Sequence, residues 1–403
     1  MFLVHVVGDI LMLTLDAVWW IIALRLAKKT VWRVLISLFI AAQMAAVANE
    51  LLGRVGHENI DLSLYVPVAV LATLQIWHYL ALPAIACAWL IYACIRFIQR
   101  RRSKKAPVTT QPASAPAATD PVSRRQFIGA CAALSPCLFT FGLTGIAVNQ
   151  LNHFRLRRFD LSIPTLPQAL DGLTIAHISD IHVGEWTHGR ILRDLVDATN
   201  NLRADLVVVT GDTINYEISD LPNAVDLIKK MESRYGTWMI EGNHDLYEDG
   251  LEFERSVKAS GIPLLLDEAM MANIRGCPVQ FFGIRWMEGL GMHRDQVTAL
   301  QVREMMKQRQ PEAFPIFLAH HPHAFDAAVE AGLPLTLSGH THGGQLMLDN
   351  QLGVGPTMFR YWSGLYKKNN CQLIVSNGVG NMFPIRVNAP AEIIHLTLHC
   401  QPA

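Results

Sequence analysis

Leu173-Thr174-Ile175-Ala176-His177-Ile178-Ser179-Asp180-Ile181-His182 is an apolar, β-branched run that ends in a carboxylate and an imidazole two residues apart. Such a run reads as a buried strand. Residues two apart project to the same side of an extended chain, so Asp180 and His182 can reach one ion, whereas His177 points to the other face and reads as a core residue. A helical pattern follows over 190–202, then the all-apolar strand Asp205-Leu-Val-Val-Val-Thr210, which ends at Gly211-Asp212. A second helix, about 222–233, leads to the strand Thr237-Trp-Met-Ile240 and then to Gly242-Asn243-His244-Asp245. This strand–helix–strand rhythm predicts an α/β fold with polar clusters at strand ends, where such folds build their sites.

The second half reads differently. Strands are predicted over 263–266, 279–284, 315–318 and 333–337, with one long helix over 296–309 and further strands from 371–376 to 392–398. Two more clusters lie here: Leu318-Ala319-His320-His321-Pro322 and Ser338-Gly339-His340-Thr341-His342-Gly343-Gly344-Gln345. Two mixed sheets packed face to face with helices outside accommodate this order, a four-layer α-β-β-α sandwich. Taken singly, Asp-x-His or Gly-Asp is more often a turn than a ligand, and Gly-Asn favours turns outright. Five such clusters in one domain supply ligands for two metal ions. Carboxylate oxygen, imidazole nitrogen and amide oxygen suit Mn, Fe or Zn, and no cysteine stands in a cluster to favour a softer ion.

The order Asp-x-His, Gly-Asp, Gly-Asn-His-Asp, a later His and Gly-His-x-His resembles the calcineurin-like metallophosphoesterase superfamily. The Gly-His-Thr-His-Gly-Gly-Gln form and Ser376-Asn377-Gly378-Val379-Gly380 resemble its YkuE/YaeI-like branch. The resemblance covers residues 150–403 and implies that Asp180, His182 and His342 hold one ion and Asn243, His320 and His340 a second, with Asp212 bridging them. It implies His244 as the group that stabilises the transition state or protonates the leaving oxygen, and Asp245 as the residue that orients that imidazole. His321 or His323 takes the place of His320 if the loop register differs, and nothing in the spacing of His188 assigns it. The implied activity is hydrolysis of a phosphate ester by a dimetal-activated hydroxide, of phosphodiesterase or pyrophosphatase type. The other class to carry is a non-catalytic scaffold on the same fold, which loss of ligands or of His244 would favour; neither is lost.

The rest of the chain is apolar. Of 403 residues 51% are hydrophobic, which splits naturally into a membrane part and one globular domain. Stretches 2–24, 34–52 and 74–97 within residues 1–100, and a fourth at 127–148, each come close to the ~20 residues a helix needs to cross a bilayer. Arg25, Lys28, Lys29 and Arg33 follow the first, Glu50, Glu58 and Asp61 the second, and Arg96, Arg100, Arg101, Arg102, Lys104 and Lys105 the third. The positive-inside rule then places the basic linker 101–122 in the cytoplasm and everything beyond 150 on the far side, as in a multi-pass protein of a bacterial inner membrane with a periplasmic catalytic domain. Residues 106–122, rich in Pro, Ala, Thr and Ser, read as flexible. Ser123-Arg124-Arg125-Gln126-Phe127-Ile128-Gly129, in the segment 123–149, resembles a twin-arginine signal, which would make the export machinery a partner; two more positive-inside arginines are the plainer reading.

Asp9, Asp16 and His78 fall inside apolar runs, where an ionisable group is either functional or paired between helices. Balanced charge, 34 basic against 34 acidic residues, argues against a nucleic-acid partner. Loops 289–293 and 358–366, with Trp286, Met287, Phe359, Tyr361, Trp362 and Tyr366 on or beside them, either pack the domain or dip into a lipid interface to admit an amphiphilic substrate. Seven cysteines show no regular ladder, and a disulfide among Cys277, Cys371 and Cys400 stays open.

Overall fold

The computed structural model describes residues 2–56, 66–103, 124–151, 153–287, 292–349 and 351–400. The chain forms two compact units, Met1–Ile146 and Ala147–Ala403. The expected linker 106–122 and most of loop 289–293 lie outside the described residues. Of the paired arginines only the helical backbone is described.

The first unit is all helix. Helices α1 (Phe2–Leu26), α2 (Thr30–Arg54), α3 (Val68–Ile76) and α4 (Leu82–Ser103) precede α5 (Arg124–Leu151), and a π-helical turn, Trp77–Ala81, joins α3 to α4. Four spans, Val6–Leu26, Thr30–Arg54, Val68–Gln99 and Phe127–Leu151, are long and apolar enough to cross a membrane. Leu38, Trp89, Ile91 and Phe139 stand exposed on them, as lipid-facing side chains do. The buried ionisable groups are paired between helices. Asp16 accepts from Trp77 Nε1 at 2.7 Å and lies 3.0 Å from His78 Nε2, and Asp9 pairs with Arg54 at 2.9 Å.

The second unit begins with β1 (Phe154–Ile163), a strand the sequence did not announce. Then follow β2 (Leu173–Ile178), α6 (Arg190–Asn201), β3 (Leu206–Thr210), α7 (Leu221–Lys229), β4 (Thr237–Ile240) and α8 (Gly250–Ala259). The second half adds β5 (Glu268–Ile274), β6 (Cys277–Gly283), α9 (Met292–Met305), β7 (Phe314–Leu318), α10 (Ala324–Glu330) and β8 (Leu335–Ser338). It closes with α11 (Val354–Met358), β9 (Gly364–Lys368), β10 (Cys371–Val375) and β11 (Ala391–Cys400). Strand order is β1-β11-β2-β3-β4 in one sheet and β5-β6-β7-β8-β10-β9 in the other. Both sheets are mixed. The β2, β3 and β4 ladder is parallel and β11 runs antiparallel to β2, while β6, β7, β8 and β10 are parallel between antiparallel edges β5 and β9.

Period-two alternation sorts the side chains into layers. Ile175, Val208, Phe281, Ile316 and Ile374 meet between the sheets, where Trp238 stacks on Phe281 at 4.1 Å. Their neighbours Ala176, Val207 and Val209 turn outward beneath α6, α7 and α8, and Phe282, Phe317 and Leu373 turn outward beneath α9 and α10. The expected four-layer α-β-β-α sandwich is therefore present. Three local expectations change. The 263–266 segment makes only an isolated bridge from Leu264 to Met239, and the strand lies further on at β5. Residues 358–366 are not all loop, since β9 starts at Gly364. All seven cysteines are free: Cys277 and Cys400 pack against the inter-sheet core and Cys371 lies on the helix side of the second sheet.

Candidate metal centre

Each cluster sits just past the C-terminal end of a strand, and in three of the five the chain turns there through backbone conformations that L-residues avoid. Asp180 (φ 51°), His182 (φ 48°), Asp212 (φ 53°), His340 (φ 72°) and His342 (φ 48°) are all left-handed, at a cost of order 1 kcal/mol each. Such strain concentrates at functional sites. Two glycines let the loops close over one another: a Cβ on Gly242 would lie 2.2 Å from Asp212 Oδ1, and one on Gly339 would lie 1.9 Å from Ser179 Oγ and 2.2 Å from Asp180 Oδ2.

The side chains converge on three overlapping groups, Asp180/His182/His342, His182/Asp212/His244 and Asp212/His320/His340, each able to hold a metal ion. Asp212 Oδ2 is 3.6 Å from His182 Nε2 and 3.1 Å from His320 Nε2, which places this carboxylate between the outer groups. His342 Nε2 lies 3.4 Å from Asp180 Oδ1 and 3.1 Å from His182 Nε2. Asn243 joins the other side, with Oδ1 2.9 Å from His340 Nδ1 while its amide donates to the Tyr247 hydroxyl at 2.7 Å.

Supporting contacts aim these ligands. His320 Nδ1 donates to the Thr210 carbonyl at 2.6 Å, which turns Nε2 toward Asp212. That Nε2 is buried 3.1 Å from Asp212 Oδ2; burial opposes a charge on the ring, but the Asp212 carboxylate outweighs it and raises the imidazole to about 9 in the ion-free protein. A buried imidazole that two buried carboxylates draw toward positive charge marks a place that suits divalent cations. The electrostatics agree. Burial holds the imidazoles of His182, His340 and His342 neutral, as ligation requires. Burial opposes ionisation of Asp212 too, but the His320 imidazole beside it outweighs that and keeps the carboxyl well below its usual range. Burial pushes Asp180 upward.

His244 stands at the edge of the cluster, its ring 4.5 Å from that of His182. Its Nδ1 donates to the Asn215 carbonyl at 2.6 Å, so the carbonyl orients the imidazole. This corrects the expected role of Asp245. Its carboxylate turns back within a 3-10 turn over His244–Leu246 and accepts from the backbone N–H groups of Thr213, Gly242 and Ile214 at 2.7, 2.8 and 3.1 Å. Asp245 thus ties the Asp212 loop to the Asn243 loop and does not touch the His244 ring in these contacts.

The remaining histidines separate cleanly. His177 is buried on the other face of β2, bonded through Nε2 to Thr210 Oγ1 at 2.9 Å. His321 packs its ring 4.8 Å from His340 and accepts from the His323 N–H at 3.2 Å; His323 accepts from the Arg360 N–H at 3.1 Å. Neither belongs to a metal-holding group. His188 lines a separate cleft beside α6 and α7. Of the expected loop aromatics, Trp286 packs 4.9 Å from His340, Tyr361 bonds Asp326, and the Tyr366 hydroxyl accepts from the Trp362 N–H. Phe359 does face the site. It lines a cleft of 370 Å³ that holds Asp212, Asn243 and His244 on one side and Leu346, Val354, Phe359 and Phe383 on the other.

Sequence reading missed Arg386. Its guanidinium is fully buried and reaches His342 Nδ1 at 3.0 Å. Guanidinium nitrogens only donate, so in the ion-free ring Nδ1 accepts and the proton sits on Nε2 toward His182, from where an ion taken at Nε2 would displace it. The nearby Gly378-Val379-Gly380 was the one available signal: Val379 and Gly380 donate to the carbonyls of Ser179 and Asp180 at 3.0 and 2.8 Å, which lays this strip directly on the first ligand loop.

The family description of calcineurin-like phosphoesterases matches residues 173–344. A zebrafish transmembrane protein with a metallophosphoesterase domain is 27% identical over 331 residues, 80% of this chain and 74% of its own. Its bovine counterpart is 29% identical over 60% of this chain and 56% of its own length. The uncharacterised metallophosphoesterase YkuE of Bacillus subtilis is 26% identical over 69% of this chain and 98% of its own. A dimetal phosphatase from Danio rerio aligns structurally over 57% of this chain and 94% of its own, with 13% identity and a TM-score of 0.33. Residues 173–344 thus match the description of calcineurin-like phosphoesterases, and apolar helices long enough to span a membrane precede them.

Proposed function

We propose that the protein is a membrane-anchored, dimetal-dependent phosphoesterase. The carrying observation is the position of Asp212, within 3.6 Å of imidazoles from two ligand groups, as a carboxylate shared by two ions must be. Asp180, His182 and His342 would hold one ion and Asn243, His320 and His340 the other. Mn, Fe or Zn suits this donor set. When bound, such ions supply Lewis acidity and neutralise charge at a phosphoryl group.

The chain's own residues do the rest. Backbone N–H groups of His340 and His244 hold the carboxylates of Asp180 and Asp212 in place at 2.9 and 2.8 Å. His244, fixed at Nδ1 by Asn215, directs its Nε2 to the cluster edge, where as an imidazolium it would give its Nε2 proton to the departing oxygen and become neutral. The apolar wall of Leu346, Val354, Phe359 and Phe383 suits a substrate whose phosphate is joined to a hydrocarbon body, a lipid or envelope phosphodiester or pyrophosphate. The charge pattern around the helices supports a periplasmic domain in a bacterial inner membrane, reached through the twin-arginine route.

The test uses the full chain in detergent, stripped of metal and resupplied with Mn²⁺, on a chromogenic phosphodiester and the matching monoester. Mn²⁺-dependent turnover lost in His244→Ala is expected. Two bound ions without turnover on soluble or lipid esters would overturn the catalytic reading and leave a binding module. An alkaline-phosphatase fusion at residue 150 should be active; an inactive one would overturn the periplasmic assignment.

A further inference from the structure

A charged side chain buried without a carboxylate partner is costly, so the contacts that retain it carry information. Arg386 is such a residue. All five of its N–H donors are used: Nε on Asn381 Oδ1 at 2.8 Å, Nη1 on the carbonyls of Asn377 and Ala389 at 3.0 Å each, and Nη2 on the Gly380 carbonyl at 2.6 Å and on His342 Nδ1 at 3.0 Å. No carboxylate is among these partners. Asn381, also fully buried, continues the chain of bonds. Its Nδ2 donates at 3.0 Å to the carbonyl of Leu151, the last residue of α5. The last carbonyls of a helix have no partner within it, so Asn381 serves as the cap of the apolar helix that leads into the domain. One buried line of hydrogen bonds thus runs from Leu151 through Asn381 and Arg386 to His342.

We infer that Arg386 and Asn381 are positioning residues that fix the His342 imidazole to the end of α5, so that seating of that helix end sets the affinity of the Asp180/His182/His342 metal site. The inference rests on the dimetal reading above. Only a planar fork with five donors bonds the His342 ring, three carbonyls and the Asn381 amide together; a lysine or glutamine at this place has too few N–H groups. The segment that carries the line is held close to the site, since a Cβ on Gly378 would lie 2.6 Å from Asp180 Cβ.

The experiment measures Mn²⁺ stoichiometry and affinity by equilibrium dialysis on the detergent-solubilised full chain, with melting in chelator to show that each variant is folded. Wild type should bind two ions; binding of none would sink the dimetal reading itself. Asn381→Ala should bind one ion at wild-type affinity and the other at least tenfold more weakly, and should add nothing to the loss in His342→Ala. Two ions at wild-type affinity in a folded Asn381→Ala, or losses that add in the double variant, would overturn the inference. Asn381→Asp separates the two halves of the line, because a carboxylate still accepts from Arg386 Nε but cannot donate to Leu151. A loss equal to that of Asn381→Ala is expected, and wild-type affinity would overturn the link to the helix end.

Discussion

Gly339 offers the sharpest test of how the site is built. Its backbone is not left-handed, so alanine there brings no conformational penalty, and its whole effect is steric. The added Cβ would lie 1.9 Å from Ser179 Oγ and 2.2 Å from Asp180 Oδ2, where ordinary contact begins at 3.4 Å. Either β8's turn or the Asp180 carboxylate must move by more than about 1 Å, and displacement on that scale costs on the order of 10²-fold in rate when it misplaces a reacting group. The His340 N–H bond to Asp180 lies beside the contact and would break with it. Gly339→Ala should therefore lose at least about 10² in kcat/KM and weaken ion binding in dialysis, while melting in chelator stays near wild type. Gly261→Ala is the control. That glycine has φ 85° and open space around its Cβ position, so it should lose about 1 kcal/mol of stability and no activity. A folded Gly339→Ala with wild-type turnover and two bound ions would refute the placement of Asp180 as a ligand.

Burial holds the His177 imidazole neutral, lowering it from 6.5 to about 3. The unfolded chain takes up a proton below 6.5 and the folded one does not, so the buried ring costs nothing above that pH and lowers stability by roughly 2 kcal/mol between pH 7 and pH 5. His177→Gln should flatten that part of the pH dependence in denaturant titrations, and a wild-type-minus-variant difference that does not change with pH would sink the account. His244→Ala should cost 10²- to 10⁴-fold in rate, in proportion to a general acid, with two ions still bound in dialysis; loss of an ion would recast His244 as a ligand. Mn²⁺ at about a thousand times its Kd should stabilise the domain by about 4 kcal/mol, visible as a rise in melting temperature. Removing the ions takes the counter-charge from the buried carboxylates of Asp180 and Asp212, so a melting temperature indifferent to chelator would contradict the metal assignment.

What could be read in advance follows from where each interaction draws its atoms. Strand β2 and its ligands were legible because a buried β-branched run and two side chains at spacing two are local facts, and Gly339 and Gly242 are adjacent to the residues whose approach they permit. Strand β1 was not. Arg155, Arg157 and Arg158 interrupt its apolar pattern, and only the fold brings the buried Glu392 of β11 opposite Arg155, which bonds it at 2.8 Å. Asp245 misled for the converse reason: it is next to His244 in sequence, but a 3-10 turn sends its carboxylate to three backbone N–H groups. The groups that orient the two supporting imidazoles are the carbonyls of Thr210 and Asn215. Every residue has a carbonyl, so no side-chain pattern can mark them. Arg386 combines both difficulties, since it lies beyond all five clusters and spends four of its five donors on main-chain carbonyls and an asparagine amide. The ligands of such a site are written in residue types, whereas the apparatus that aims them is written in backbone geometry, and substitutions such as Gly339→Ala and Asn381→Asp are needed to read it.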